Sequence, residues 1–192
     1  MQTTTKLPEN YKEICKIDLQ HDKKTFILLN VLNVAIFAAM VLIAFLFVPM
    51  TISLELDNLL VFYVKLLVLI VGMIAYLILH ELVHGIFMKR FSGVKPHYGF
   101  VGYAAYAGSD AYFNKVHYII IALAPIVIWG IVLLIINLVV PVSWFWAVYL
   151  IQAINISGAV GDLYVTYKMS KMPADILIND TGLVMTIFSA EN

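Results

Sequence analysis

The fold of this chain is decided by residues 59–88, which read LLVFYVKLLVLIVGMIAYLILHELVHGIFM. Residues 59–79 carry one charge, Lys65, and then His80, Glu81 and His84 follow within five residues. About 20 apolar residues are enough to cross the hydrocarbon core of a bilayer. Ionisable groups inside a membrane helix are unfavourable, so their presence indicates a functional site. We therefore predict a membrane-spanning helix that carries such a site.

The ionisable residues of this helix form an H-E-x-x-H motif. His80 and His84 are four residues apart, so they share one helix face and can bind one metal ion. Glu81 lies about 100° around the helix from His80, where it faces a water as general base and not the metal. Catalytic zinc takes three protein ligands and keeps one position open. The motif predicts a Zn²⁺ site whose third ligand lies elsewhere.

The composition is not that of a soluble domain. Of 192 residues, 62% are hydrophobic and 12% are charged, whereas soluble domains carry about 25% charged residues. The net charge of zero argues against a nucleic-acid partner. The sequence has one cysteine, Cys15, which excludes a disulfide within the chain and a thiolate zinc cluster. The first apolar stretch is too long for the core of a cleavable signal peptide.

Four apolar stretches predict four transmembrane helices, at residues 26–48, 59–88, 116–140 and 142–167. The expected fold is an all-α membrane protein with a small β-hairpin-like or re-entrant segment between helices 2 and 3. This segment, residues 94–114, is rich in glycine, alanine and tyrosine and has little helical periodicity.

The chain is expected to have three parts. They are a cytosolic N-terminal segment at 1–25, a four-span membrane domain at 26–171 and a cytosolic tail at 172–192. Partial alternation of apolar residues in the tail predicts a further strand.

The basic residues predict the orientation in the membrane. Eleven of the twelve lysines and arginines lie before span one, between spans two and three, or after span four. The other two loops hold Glu55 and Asp57 but no basic residue. The positive-inside rule then puts both termini in the cytosol of a multi-pass plasma-membrane protein. Lys65 is the exception, and we expect it to extend to the outer membrane surface.

Depth in the membrane points to Asp162 as the third metal ligand. His80 and His84 follow Leu60 by 20 and 24 residues, which is about 30–36 Å along a helix. Asp162 follows Val142 by 20 residues, about 30 Å, in a span that runs the same way. The three residues therefore share a layer near the cytosolic boundary.

Other residues remain alternatives or helpers. Asp110, His97 and His117 lie on the cytosolic side and are alternative third ligands. Asn155 precedes Asp162 by seven residues and so lies nearly on the same helix face. It is a candidate for orienting a ligand or a substrate backbone.

Several motifs resemble the bacterial "putative zincin peptidase" family, once classed as a domain of unknown function. They are HELVHG at 80–85, the tyrosine-rich middle loop, LAP at 123–125 and GAVGDLY at 158–164. The chain is more distantly similar to site-2 intramembrane metalloproteases, which carry H-E-x-x-H on one span and an aspartate ligand on a later one. In those enzymes an asparagine precedes the Asp-Gly pair, whereas Leu163 follows Asp162 here. The resemblance implies a metalloprotease domain in which a membrane-dipping hairpin presents the substrate in extended form.

Together these observations predict a zinc-dependent intramembrane or membrane-proximal endopeptidase that acts on a membrane protein or peptide. Glu81 is its expected catalytic residue. The alternative is a non-catalytic four-span accessory or immunity-type protein with a structural or vestigial metal site. A small transporter subunit fits poorly, because one polar layer near one face gives no alternating-access path. The sequence leaves the substrate and the oligomeric state open.

Overall fold

The computed structural model of the chain describes residues 3–18, 21–50, 58–102 and 104–191. The chain is mostly helical (63%) with a few short antiparallel strands. In chain order the elements are β1 (Tyr11–Ile17), α1 (Lys23–Phe47), α2 (Leu59–Ser92), β2 (His97–Val101), β3 (Ala104–Gly108), β4 (Tyr112–Asn114), α3 (Lys115–Val139), a 3-10 turn (Val142–Trp144), α4 (Phe145–Gly158), α5 (Val160–Ser170), β5 (Leu177–Asp180) and β6 (Met185–Ala190). The loop with Glu55 and Asp57 lies outside the described residues.

Within the described residues, four helical segments are long and apolar enough to cross a membrane, as the sequence predicted: α1, α2, α3 and Val142–Ser170. The most apolar stretch of α1 has no residue buried inside the protein, and Leu46 and Phe47 are each 80% exposed. A helix that is apolar on all sides requires an apolar environment around it.

The fourth segment differs from the single helix predicted over 142–167. It starts with the 3-10 turn and is then divided at Ala159 into α4 and α5. Ser157 and Gly158, which precede the break, are weak helix formers. The break has a consequence for the site, because it makes Asp162 a first-turn residue of α5.

The chain divides into two compact units. The first consists of Met1–Leu28, Leu79–Pro125 and Gly161–Asn192, and the second of Leu29–Ile78 and Ile126–Val160. Both terminal segments of the chain therefore belong to the first unit.

An antiparallel sheet in the first unit was missed by the all-α fold class. Its strand order is β1-β6-β5-β4. Phe113, Ile178 and Ile187 of this sheet are fully buried in one core with Met88 and Met169 of the helices. Strands β5 and β6 confirm the strand expected in the tail. Strand β1 has no clear alternation of apolar and polar residues in the sequence, because only its end residues are well buried. Its partner β6 is also about 170 residues away along the chain.

The hairpin predicted between helices 2 and 3 is confirmed. Strand β2 pairs with β3 in antiparallel register from His97↔Gly108 to Val101↔Ala104. Gly102 in the turn has φ +60, a conformation that glycine adopts without strain. Tyr103 lies outside the part of the chain that the structure describes.

The second unit has its own small core of Tyr76, Leu133 and Ile151. Lys65 belongs to this unit, and its expected extension to the outer membrane surface stays a prediction. Its side chain is buried, and its Nζ lies 5.7 Å from the centre of the Trp144 ring. A cation above an aromatic face is stabilised by the ring quadrupole.

We predict that Ile187→Ala destabilises the protein strongly, whereas Ile14→Ala does not. Ile187 is fully buried in the sheet core, and large-to-small changes there cost about 2–5 kcal/mol. Ile14 on β1 is 52% exposed, so its truncation should change stability by about 0.5 kcal/mol or less. Thermal unfolding of the detergent-purified variants measures both. Equal midpoints would contradict the described packing of the sheet.

Candidate metal site

Three side chains of the first unit converge on one point. His80 and His84 lie one turn apart on α2, and Asp162 lies in the first turn of α5. Nε2 of His80 is 3.3 Å from Oδ2 of Asp162, and Nε2 of His84 is 3.6 Å from Oδ1. One donor atom from each residue lies within 4.8 Å of the other two. The positive end of the α5 dipole favours a carboxylate at this position.

The spacing of these atoms fits zinc. Ligand atoms that lie about 2.0–2.1 Å from Zn²⁺ in a tetrahedral arrangement are about 3.4 Å from each other. The two imidazole–carboxylate distances, each to a different oxygen of Asp162, are close to this value. The donor set of two histidines and one carboxylate is also one that catalytic zinc uses, with the fourth position left open.

The tautomer of His84 supports the same conclusion. Its Nδ1 lies 2.9 Å from the backbone carbonyl oxygen of Ile121. A carbonyl only accepts hydrogen bonds, so Nδ1 carries the proton and donates it. In the neutral ring, Nε2 then has a lone pair that faces the Asp162 carboxylate. Two acceptors that face each other require a cation between them or a second proton on the ring, and a metal ion meets this requirement.

Glu81 lies at a cavity beside the cluster. The cavity has a volume of about 150 Å³, and its lining includes Glu81, His84, Asp162 and, from β3, Ala105 and Ala107. It has room for water and for a group of the substrate. The backbone N–H of Ala107 in β3 lies against the Glu81 carboxylate. This contact orients the carboxylate at the cavity wall.

The hairpin also contacts α2 through Tyr98. A Cβ atom added at Gly85 would collide with the Tyr98 hydroxyl oxygen, so the Tyr98 ring would have to move to admit a larger residue. Burial and, to a lesser extent, the charge of Glu81 raise the pKa of Tyr98. The hydroxyl therefore stays protonated near the motif.

Two residues of the cavity were not found from the sequence. Asp180, at the end of β5, and Tyr118, on α3, line the same cavity as Glu81. The Tyr118 hydroxyl donates to Oδ2 of Asp180 at 2.6 Å, and the Gly182 N–H donates to Oδ1 at 2.7 Å. Burial raises the pKa of the Asp180 carboxyl, while these two hydrogen bonds lower it. Asp180 lies in the tail that follows the predicted spans, and no local pattern in the sequence indicates that β5 and β6 return it to the site.

The alternative third ligands make other contacts. Nδ1 of His117 is 2.7 Å from the Thr3 hydroxyl oxygen, and its ring stacks on Phe91. Nε2 of His97 is 3.3 Å from the carbonyl oxygen of Thr181. Asp110 is exposed. Among the described residues, the cluster of potential metal ligands contains Asp162 and none of these three.

Asn155 belongs to the second unit. Its Oδ1 accepts a hydrogen bond from the Tyr76 hydroxyl at 3.1 Å, and its Nδ2 donates to the Ile126 carbonyl at 3.2 Å. The side chain is fully buried. Its role in orienting a ligand or a substrate stays a prediction.

The fold and the cluster define a class of protein: a mainly helical chain with four long apolar helices and a group of two histidines and an aspartate that could bind a metal ion. The chain belongs to the family described as "Putative zincin peptidase", whose model matches residues 73–177, more than half of the sequence. The resemblance inferred from the motifs is thus confirmed. The family description indicates a metallopeptidase and implies zinc.

One curated relative comes from Pyrococcus woesei and is titled "Uncharacterized 24.7 kDa protein in gap 5'region". It is 37% identical to this chain over 124 residues, which are 61% of this chain and 53% of the relative. The chain thus spans about half the length of this relative. No solved structure matches the chain.

We predict that Gly85→Ala lowers the thermal midpoint and that adding Tyr98→Ala restores much of it. The added Cβ collides with the Tyr98 hydroxyl, so removing that side chain relieves the clash. Residues in contact typically show interaction energies of about 0.5–3 kcal/mol in such double-mutant cycles.

Gly158→Ala is the matched control, because a Cβ there would meet no atom within 4 Å. Alanine is the better helix former, so this variant should be neutral or slightly more stable. Identical midpoints for Gly85→Ala and Gly158→Ala would contradict the contact between Tyr98 and α2.

Proposed function

We propose that this chain is a zinc-dependent endopeptidase that cuts membrane proteins or peptides within or beside the membrane, near its cytosolic face. The observation that carries the proposal is the convergence of His80, His84 and Asp162 beside a cavity that Glu81 also lines. The family description supports the reaction class. The four long apolar helices and their exposed apolar side chains support a multi-pass membrane protein.

His80, His84 and Asp162 would hold the metal ion. Bound zinc would supply Lewis-acid chemistry, polarising the scissile carbonyl and acidifying a water molecule. The Ile121 carbonyl fixes the ring of His84 so that Nε2 faces the metal position. His84, held in this way, needs no rearrangement of its ring when the metal binds.

Glu81 acts as the general base and then as the general acid. Its carboxylate accepts a proton from the attacking water and delivers it to the leaving amine of the cleaved peptide bond. Glu81 is adjacent to His80 and lines the cavity, where it can reach a water without binding the metal. The contact with the Ala107 N–H keeps the carboxylate directed at this cavity.

Strand β3 is suited to hold the substrate. A peptide bond inside a helix is shielded by the helix itself, so the substrate must unwind before it is cut. Ala105 and Ala107 of β3 line the cavity and have small side chains. An extended peptide that pairs with this strand would place its backbone beside Glu81.

The charge distribution supports the proposed orientation. Positive residues on one side of the four spans favour cytosolic termini in the plasma membrane. His80, Glu81 and His84 lie in the half of α2 that ends with Lys89 and Arg90. The site would then be close to the cytosol, from which water can enter.

We predict that Glu81→Gln abolishes cleavage while zinc remains bound. Glutamine keeps the shape of the side chain but cannot accept the proton, and the loss of a general base typically lowers the rate by about 10²–10⁴-fold. The assay uses protein reconstituted into lipid vesicles with labelled membrane-spanning peptides and unfolded casein, and mass spectrometry detects the products. Zinc content is measured on the same samples.

Glu13→Gln on the exposed face of β1 is the matched control and should cleave like the wild type. Wild-type rates in Glu81→Gln would contradict the mechanism. Absence of cleavage in the wild type with every substrate would favour the non-catalytic alternative.

A further inference from the structure

Pro125 lies inside α3 and is fully buried. In a helix, each backbone N–H donates to the carbonyl four residues earlier, and proline has no N–H to donate. The carbonyl left without its helical donor by Pro125 is that of Ile121. A buried carbonyl without a donor is unfavourable, so another group must satisfy it.

The group that satisfies this carbonyl is His84. Its Nδ1 donates to the Ile121 oxygen at 2.9 Å. The side chains of His84 and Ile121 are both buried. The Ile121 carbonyl, which lacks its helical donor because of Pro125, therefore accepts a hydrogen bond from His84, a candidate metal ligand on α2.

We propose that Pro125 is a positioning residue of the metal site. By removing a competing helical N–H, it leaves the Ile121 carbonyl free to accept from His84. That hydrogen bond keeps the proton on Nδ1 and the lone pair of Nε2 directed at Asp162. This inference rests on the proposed function, because it deepens the account of the same zinc site.

The use of a backbone carbonyl also suits the surroundings. A carboxylate partner for Nδ1 would add another negative charge close to Asp162 and Glu81, which like-charge repulsion disfavours. A carbonyl released by proline provides a neutral acceptor on a rigid element.

The first test measures zinc affinity by competition with a chelator in detergent-purified full-length protein. Pro125→Ala and Pro125→Val each restore an N–H that bonds to the Ile121 oxygen. Loss of an outer-shell partner weakens metal binding about 10–100-fold, and we expect a loss of about tenfold in both variants. The control Pro141→Ala changes a proline before the 3-10 turn and should bind zinc like the wild type.

The second test reads the His84 tautomer in metal-free protein from ¹⁵N-histidine solid-state NMR spectra, assigned with His84→Ala and recorded at a pH at which the spectrum shows the neutral ring. The wild type should carry its proton on Nδ1, and both Pro125 variants should gain the Nε2–H form. If Pro125 acted only through packing, its replacement would leave the His84 tautomer unchanged. The alanine and valine variants would then differ in zinc affinity because their side chains differ in size.

Wild-type affinity and an unchanged tautomer in Pro125→Ala and Pro125→Val would overturn the inference while leaving the zinc site intact. Alternatively, the wild type binds no zinc while the two Pro125 variants show the expected change of the His84 tautomer. That result would overturn the proposed function and support the positioning of His84 by Pro125. A wild-type His84 with its proton on Nε2 would overturn the inference directly.

Discussion

The site depends on one electrostatic constraint: the lone pair of a histidine nitrogen faces a carboxylate oxygen in a mostly buried position. His84 donates through Nδ1 to the Ile121 carbonyl, so its Nε2 meets Asp162 as an acceptor. A metal ion between them, or a second proton on the ring, makes this arrangement favourable. Three further features complete the site: the first-turn position of Asp162, the adjacent Glu81 and the cavity beside them.

The sequence predicted the helical part of the fold because that signal is local. An uninterrupted apolar run of 20 or more residues identifies a long helix without any knowledge of its partners. The glycine- and tyrosine-rich segment between α2 and α3 likewise identified the hairpin. The four-stranded sheet escaped because β1 carries Lys12, Glu13 and Lys16 and pairs with a strand at the other end of the chain. Such a pairing has no local signature.

The part of the candidate site that depends only on residue spacing along a helix could be predicted from the sequence. The i, i+4 relation of His80 and His84, and the equal depth of Asp162, follow from the rise of a helix. The positions of Asp180 and Tyr118 in the cavity wall could not be inferred. Asp180 reaches the cavity because β5 and β6 pack back into the first unit after the last helix. The break at Ala159 was also missed, although Ser157 and Gly158 are the signal that could have suggested it. Asn155 remains a prediction from helical periodicity.

The most direct measurement of the central claim is zinc X-ray absorption, with metal content, on purified wild-type protein and on Asp162→Asn. The account predicts about one zinc per chain, bound by two imidazole nitrogens and a carboxylate oxygen, with weaker binding in Asp162→Asn. Asp110→Asn is the matched control and should retain the wild-type spectrum. A wild type that binds no zinc, or full retention of zinc and of the spectrum in Asp162→Asn, would contradict the account.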